Sequence, residues 1–132
     1  MPNYLTLLDV IAIHDRVMRA GGHSPRPLLR SEVLEGALHR PQHVAYYEEA
    51  DITRQAALLA VAISEAQAFE DGNKTTAFAC LDLFLRDNGL LLHGGQRTVA
   101  DALIRISVDQ TTREAAIVEL EGLLRQNTKS ST

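Results

Sequence analysis

Gln67-Ala-Phe-Glu-Asp-Gly-Asn-Lys-Thr-Thr76 is a short polar loop running into a helix, and its reading decides the fold. Asp71-Gly72-Asn73 is a turn sequence, because Gly and Asn tolerate left-handed backbone conformations that other residues avoid. Asp-Gly between alternating apolar residues would signal a hairpin. Here the flanks do not alternate. Phe78, Leu81 and Leu85 fall at helical spacing, and Ala77 and Phe84 widen the same stripe. A glycine turn that opens a helix aims unpaired N–H groups and the positive end of the helix dipole at one spot, which suits an anion. Lys74 adds a positive charge there and Thr75 and Thr76 add hydroxyls, while Asp71 offers oxygen to a hard cation such as Mg²⁺. Taken alone, the loop is read more simply as a plain structural turn.

Outward from the loop, the pattern is helical on both sides. Upstream, Asp51 caps an expected helix to Ala66 whose Ile52, Ala56, Leu59, Ala60 and Ile63 line one face, with Leu58, Val61 and Ala62 leaving little polar surface. A helix that apolar belongs at the centre of its fold. Downstream, Asp87-Asn88-Gly89 ends the loop's own helix with a left-handed glycine. Leu90 to Leu92 is a short apolar run before a turn at His93-Gly94-Gly95. Val99, Ala102, Leu103 and Ile106 mark another helix. Thr111 and Glu114 read as a capping box for the last one, which carries Ala115, Val118 and Leu120 through to Leu124.

Nearer the N-terminus, Thr6 and Asp9 open a helix with Val10, Ile13, His14 and Val17 on one face and Gly21-Gly22 at its end. His14 on that apolar face reads as a core histidine making one hydrogen bond. Pro25 and Pro27 punctuate a loop holding Arg26 and Arg30. Ser31 is the expected N-cap of a short helix stopping before Pro41, with Val33, Leu34, Ala37 and Leu38 as its apolar residues. Residues 42–50, with Tyr46 and Tyr47, read as a loop or short extended flap. The expected architecture is all-α: one compact domain over residues 1–126 with about six helices, then a disordered polar tail at 127–132.

The chain has 132 residues, 45% hydrophobic and 23% charged, which suits one globular domain. A net charge of −4 and the absence of Trp argue against a broad nucleic-acid face or a base-stacking platform. One cysteine, Cys80, excludes an internal disulfide framework and suits a reducing cytoplasm; a buried small hydrophobe is its simplest reading. Nothing resembles a membrane span or a signal peptide.

Phe69-Glu-Asp-Gly-Asn-Lys74 resembles the core of the Fic/Doc motif, His-x-Phe-x-(Asp/Glu)-(Gly/Ala)-Asn-(Gly/Lys)-Arg. The resemblance runs along most of the chain. Residues 5–22, with Ile13-His14-Asp15, resemble the first helix of Doc (death-on-curing) proteins. Leu29-Arg30, Leu34-Glu35, Ala37-Leu38 and Arg40-Pro41-Gln42 resemble their second segment, and Phe84-Leu85 with Asn88-Gly89 resembles the end of their motif helix. Lys74 stands where Fic adenylyltransferases carry glycine, which favours the Doc branch. The resemblance implies a small all-helical toxin of a toxin–antitoxin module, a kinase moving phosphate from ATP to elongation factor Tu and blocked by a cognate antitoxin. Fic relatives instead transfer AMP to a protein hydroxyl. Carried over, Asp71 would bind Mg²⁺, and Gly72, Asn73 and Lys74 would form the phosphate cradle. Phe69 would anchor the loop, and the segment near Tyr46 and Tyr47 would be the flap that aligns a target peptide.

Two positions depart from the motif. Gln67 stands at the catalytic histidine and Thr75 at the motif arginine, while Ala68 replaces a common proline. An amide has no accessible basic site near neutral pH, so Gln67 cannot take the proton from an attacking hydroxyl. A threonine hydroxyl replaces planar charged donors with one weak donor. Either the chain is a transferase with altered machinery, for which His43 and His93 are conceivable substitute bases, or it is a silent homologue that still binds nucleotide or an antitoxin.

Overall fold

In the computed structural model, which describes residues 2–106 and 110–131, helices follow one another from the first residues to the last. They are α1 (Leu7–Ala20), α2 (Ser31–Leu38), α3 (Arg40–Glu48), α4 (Ile52–Ala66), α5 (Asn73–Asp87), α6 (Gln96–Arg105) and α7 (Gln110–Asn127). Two three-residue strands, β1 (Leu90–Leu92) and β2 (Thr128–Ser130), complete the described elements. The fold is all-α apart from this small ribbon.

Helix α4 is the axis. Asp51 caps it by accepting the Arg54 N–H at 2.9 Å, and every residue from Gln55 to Val61 is buried. That burial follows from its nearly all-round apolar sequence, and α2, α3, α5 and α7 pack about it. Helix α1 lies against α5 and α2. It starts with a reciprocal capping box in which Thr6 Oγ1 accepts from Asp9 N–H and Asp9 Oδ2 accepts from Thr6 N–H. Its buried side is Val10, Ile13, His14 and Met18. Arg54 bridges Glu48, Glu114 and Glu121, and Arg125 reaches Asp51 at 2.8 Å, so α7 is tied to the start of α4 by charge as well as packing.

Several expectations are corrected. Residues 42–50, read as a loop or short extended flap, instead belong for the most part to α3 (Arg40–Glu48), with Pro41 at its start. Proline in the first helical turn sacrifices only an N–H the helix leaves unused, so Pro41 begins a helix instead of merely ending one. Pro41 and Val44 are the residues it buries. Ser31 is the first residue of α2 and not its cap; Arg30 takes the cap position with no side-chain hydrogen bond. In α7 the buried positions include Ile117, Leu120 and Leu124, while Ala115 and Val118 are exposed. The capping box expected at Thr111 falls outside the described side chains.

Within the polar tail, expected to be disordered, Thr128–Ser130 are a strand paired antiparallel with Leu90–Leu92, Leu90 opposite Ser130 and Leu92 opposite Thr128. The His93 N–H donates to Asn127 O at 2.7 Å and the Ser131 N–H to Gly89 O at 2.9 Å, closing the ribbon at both ends. Composition marks this segment as solvent-loving, but its partner's unpaired backbone edge supplies hydrogen bonds that composition cannot reveal. Among the described residues no helix is long and apolar enough to cross a membrane.

Candidate functional site

Helix α4 ends on Gln67 at φ 45° and ψ 47°, a left-handed conformation usually left to glycine or asparagine. The chain then turns inward. Ala68 and Phe69 are buried, and the extended segment before α2 lies antiparallel to them in a bridge between Leu28 and Phe69. The Leu29 N–H donates to Ala68 O at 2.7 Å and the Glu70 N–H to Pro27 O at 3.2 Å. The Phe69 ring stacks on His14 of α1, centroids 3.7 Å apart and planes 8° from parallel. Phe69 is thus the apolar floor of the loop.

Two residues set the turn itself. Gly72 caps α5 at φ +79°, and a Cβ there would sit 2.7 Å from Met18 Sδ, so both backbone angle and space require glycine. Asn73 folds its amide back over the loop, accepting the Phe69 N–H at 3.0 Å and donating to Phe69 O at 2.8 Å. The helical ladder of α5 begins with the Thr76 N–H donating to Gly72 O at 3.0 Å. It therefore makes no use of the amides of Asn73, Lys74 and Thr75.

Asn73, Lys74 and Thr75 are among the residues that line an open pocket of about 310 Å³, together with Ser64, Gln67, Asp71 and Gly72. Lys74 Nζ lies 3.5 Å from Ser64 Oγ on α4. Arg30 Nη1 donates to the Gln67 carbonyl at 2.6 Å, bringing a second cation to the same end of α4. A smaller recess of about 60 Å³ adjoins, sharing Ser64, Gln67 and Lys74 and adding apolar Val61, Leu103 and Ile106. At its edge Arg113 of α7 grips Glu65 through two hydrogen bonds of 2.6 and 2.7 Å.

The rim also carries the Glu70 and Asp71 carboxylates. A bare polyphosphate would meet them as well as Lys74, so a divalent cation shared with the phosphate resolves the charge conflict. Asp71 Oδ1 accepts the Gly72 N–H at 2.7 Å, leaving Oδ2 for such an ion. Among the described residues no group of three His, Cys, Asp or Glu forms a metal centre. Mg²⁺ is commonly held by one or two carboxylates plus substrate phosphates. A single carboxylate of this kind fits a magnesium ion that arrives with an anionic ligand.

The structure brings Gln67, Asp71, Gly72, Asn73, Lys74 and Thr75 to one pocket. Thr76, expected to offer its hydroxyl, does not line it: the residue is fully buried and Oγ1 has no hydrogen-bond partner. Tyr46 and Tyr47 are 80% and 70% exposed on α3 and are not among the lining residues. His43 packs on Tyr47, and His93 follows β1; neither lines the pocket. The sequence alone does not mark Ser64 as a lining residue, nor the Arg30 contact to the Gln67 carbonyl and the Arg113–Glu65 pair beside the recess. These depend on tertiary neighbours, and nothing in the local pattern announces them.

A family model described as "Fic/DOC family" matches residues 4–85, more than half of the chain and all of the motif loop. No curated protein matches the sequence.

Proposed function

The chain belongs to the Fic/DOC family, and we propose that it is a Doc-like protein that binds the phosphates of ATP–Mg²⁺ at the start of α5. In this reading it passes phosphate to a hydroxyl of a protein such as elongation factor Tu, at a rate limited by the missing base. Its setting would be the cytoplasm, in a toxin–antitoxin module with a cognate antitoxin as partner. The observation that carries the reading is the convergence of three unused α5 amides, Lys74 and the Asp71 carboxylate on one open pocket.

The residues divide the work as follows. Lys74 and the amides of Asn73 to Thr75 hold phosphate oxygens and offset the charge that spreads over them during transfer. Asp71 would hold magnesium, which when bound neutralises phosphate charge. Gln67 can orient an incoming hydroxyl by hydrogen bonding but cannot accept its proton. No histidine is among the residues that line the pocket, and His14, behind the loop, has its Nε2 committed to the Asp71 carbonyl at 2.8 Å. Phosphoryl transfer relies mostly on positioning and charge, so loss of the base slows it, by roughly 10²–10⁴-fold. Lys74 at the branch-defining position supports phosphate over AMP as the group moved. The silent-homologue reading is favoured by one observation, the coincidence of Gln67 and Thr75 on a single rim.

Calorimetry with ATP–Mg²⁺ tests the binding step. The unmodified protein is expected to bind, and Lys74→Ala to lose roughly tenfold or more in affinity. No binding by the unmodified protein would reduce the loop to a structural turn.

A further inference from the structure

Gly72 follows Asp71 through a peptide unit whose two polar atoms are both engaged. Its carbonyl, Asp71 O, accepts from His14 Nε2 at 2.8 Å; its amide, Gly72 N–H, donates to Asp71 Oδ1 at 2.7 Å. In a trans peptide the C=O and N–H point in opposite directions. The carbonyl is turned to His14 of α1, so the N–H points the other way, to the Asp71 carboxylate that accepts it; Asp71 and Gly72 are both among the residues that line the pocket. Since a carbonyl oxygen only accepts, the hydrogen of this bond sits on His14 Nε2.

His14 is suited to hold this orientation. It is 1% exposed, its ring is fixed face to face on Phe69, and Gly72 lies just above it beside Met18. Glycine at φ +79° is the residue type at which a turn peptide flips most readily, because no Cβ opposes the rotation. A flip would turn the N–H inward, breaking its bond to the Asp71 carboxylate, and would set the Asp71 carbonyl oxygen, an acceptor, beside the place where an anion must sit.

We infer that His14 is a positioning residue for the phosphate loop: by donating to the Asp71 carbonyl it keeps the Asp71–Gly72 peptide turned with its N–H and the Asp71 carboxylate on the pocket side. This rests on the reading that the pocket takes nucleotide phosphate. His14 touches no substrate and acts only through Asp71 and Gly72.

Two substitutions separate the donor from the packing. His14→Phe keeps a ring against Phe69 and loses the hydrogen; His14→Gln supplies an N–H at similar reach. Melting temperature and ATP–Mg²⁺ affinity are measured for both and for the unmodified protein. The expected result is a roughly tenfold weaker affinity for His14→Phe, with His14→Gln within about threefold of the unmodified protein even where both melt earlier. Unchanged affinity in a folded His14→Phe, or equal losses in both variants, overturns the role of His14 while nucleotide binding by the unmodified protein leaves the phosphate reading standing. Failure of the unmodified protein to bind overturns both. Should His14→Phe not fold, nitrogen NMR of the unmodified protein decides: a slowly exchanging hydrogen on His14 Nε2 is expected, and a ring carrying hydrogen on Nδ1 alone overturns the inference.

Discussion

The side chain of Asn73 spans both main-chain polar groups of Phe69, accepting its N–H and donating to its carbonyl within 3.0 Å. One residue thereby closes the loop across four positions and fixes where α5 begins. Asn73→Ala leaves both Phe69 groups short of a partner in a partly buried setting. It is expected to lower unfolding stability by about 1–3 kcal/mol, measured by urea titration, and to weaken ATP–Mg²⁺ binding in parallel. A variant as stable as the unmodified protein would show that the loop holds its shape without the clasp.

Gly72→Ala meets two obstacles at once, the positive φ and the Met18 sulfur. A loss of roughly 1–3 kcal/mol is expected. In a Met18→Ala background, where the methyl has room, Gly72→Ala should still cost stability relative to Met18→Ala alone, because room for the methyl does not remove the backbone strain. No cost of Gly72→Ala in that background would assign the loss to crowding alone.

Asp51 has a pH signature. The hydrogen bond from Arg125, with the Arg54 amide and the charges of both arginines, holds its carboxyl below the usual carboxylate range; partial burial opposes this. A depressed carboxyl contributes stability that is full above the unfolded value of about 3.9 and is lost as pH falls through the folded value. Asp51→Asn keeps a capping oxygen and removes only the charge. Because the pair is half exposed, the gap between the two proteins should be only about 0.5–1 kcal/mol near neutrality and should close in acid. A gap that persists in strong acid would point to the cap and not the ion pair.

Cys80 is fully buried, and burial, with a smaller contribution from the charge of Asp9, pushes its thiol up to about 12. Only the thiolate reacts with disulfide reagents. In the folded protein Cys80 should therefore stay unmodified at about pH 8 on a timescale at which a denatured sample reacts completely. Rapid labelling under native conditions would contradict the packing of α5.

The helical class was readable because α4 and α5 carry long apolar patterns with strong end signals, Asp51 at one start and Asn88-Gly89 at one stop. The motif loop was readable for a different reason: Gly72 is a residue type whose backbone preference specifies the turn, whereas Asn73, expected to help through its backbone, starts α5 and acts through its side-chain amide. What stayed hidden depends on tertiary partners. Pro41 starts or ends a helix according to what Val44 can bury against, and Thr128–Ser130 become a strand only because Leu90–Leu92 present a free edge. In the site, the left-handed turn at Gln67, the Arg30 contact to its carbonyl and the burial of Thr76 leave no local trace. A hydroxyl one residue beyond Thr75 rotates about 100° around the helix, which carries Thr76 from the pocket side to the core.

The proposed phosphate site keeps its grip and lacks its base. Its most direct test is transfer of labelled γ-phosphate from ATP–Mg²⁺ to elongation factor Tu, by the unmodified protein and by Gln67→His, Thr75→Arg. Histidine also tolerates the left-handed backbone found at Gln67, so the restored base should fit without refolding the loop. The expected result is equal folding, nucleotide binding by both, and transfer roughly 10²–10⁴-fold faster in the variant. A variant that binds nucleotide yet transfers no faster than the unmodified protein would contradict the account.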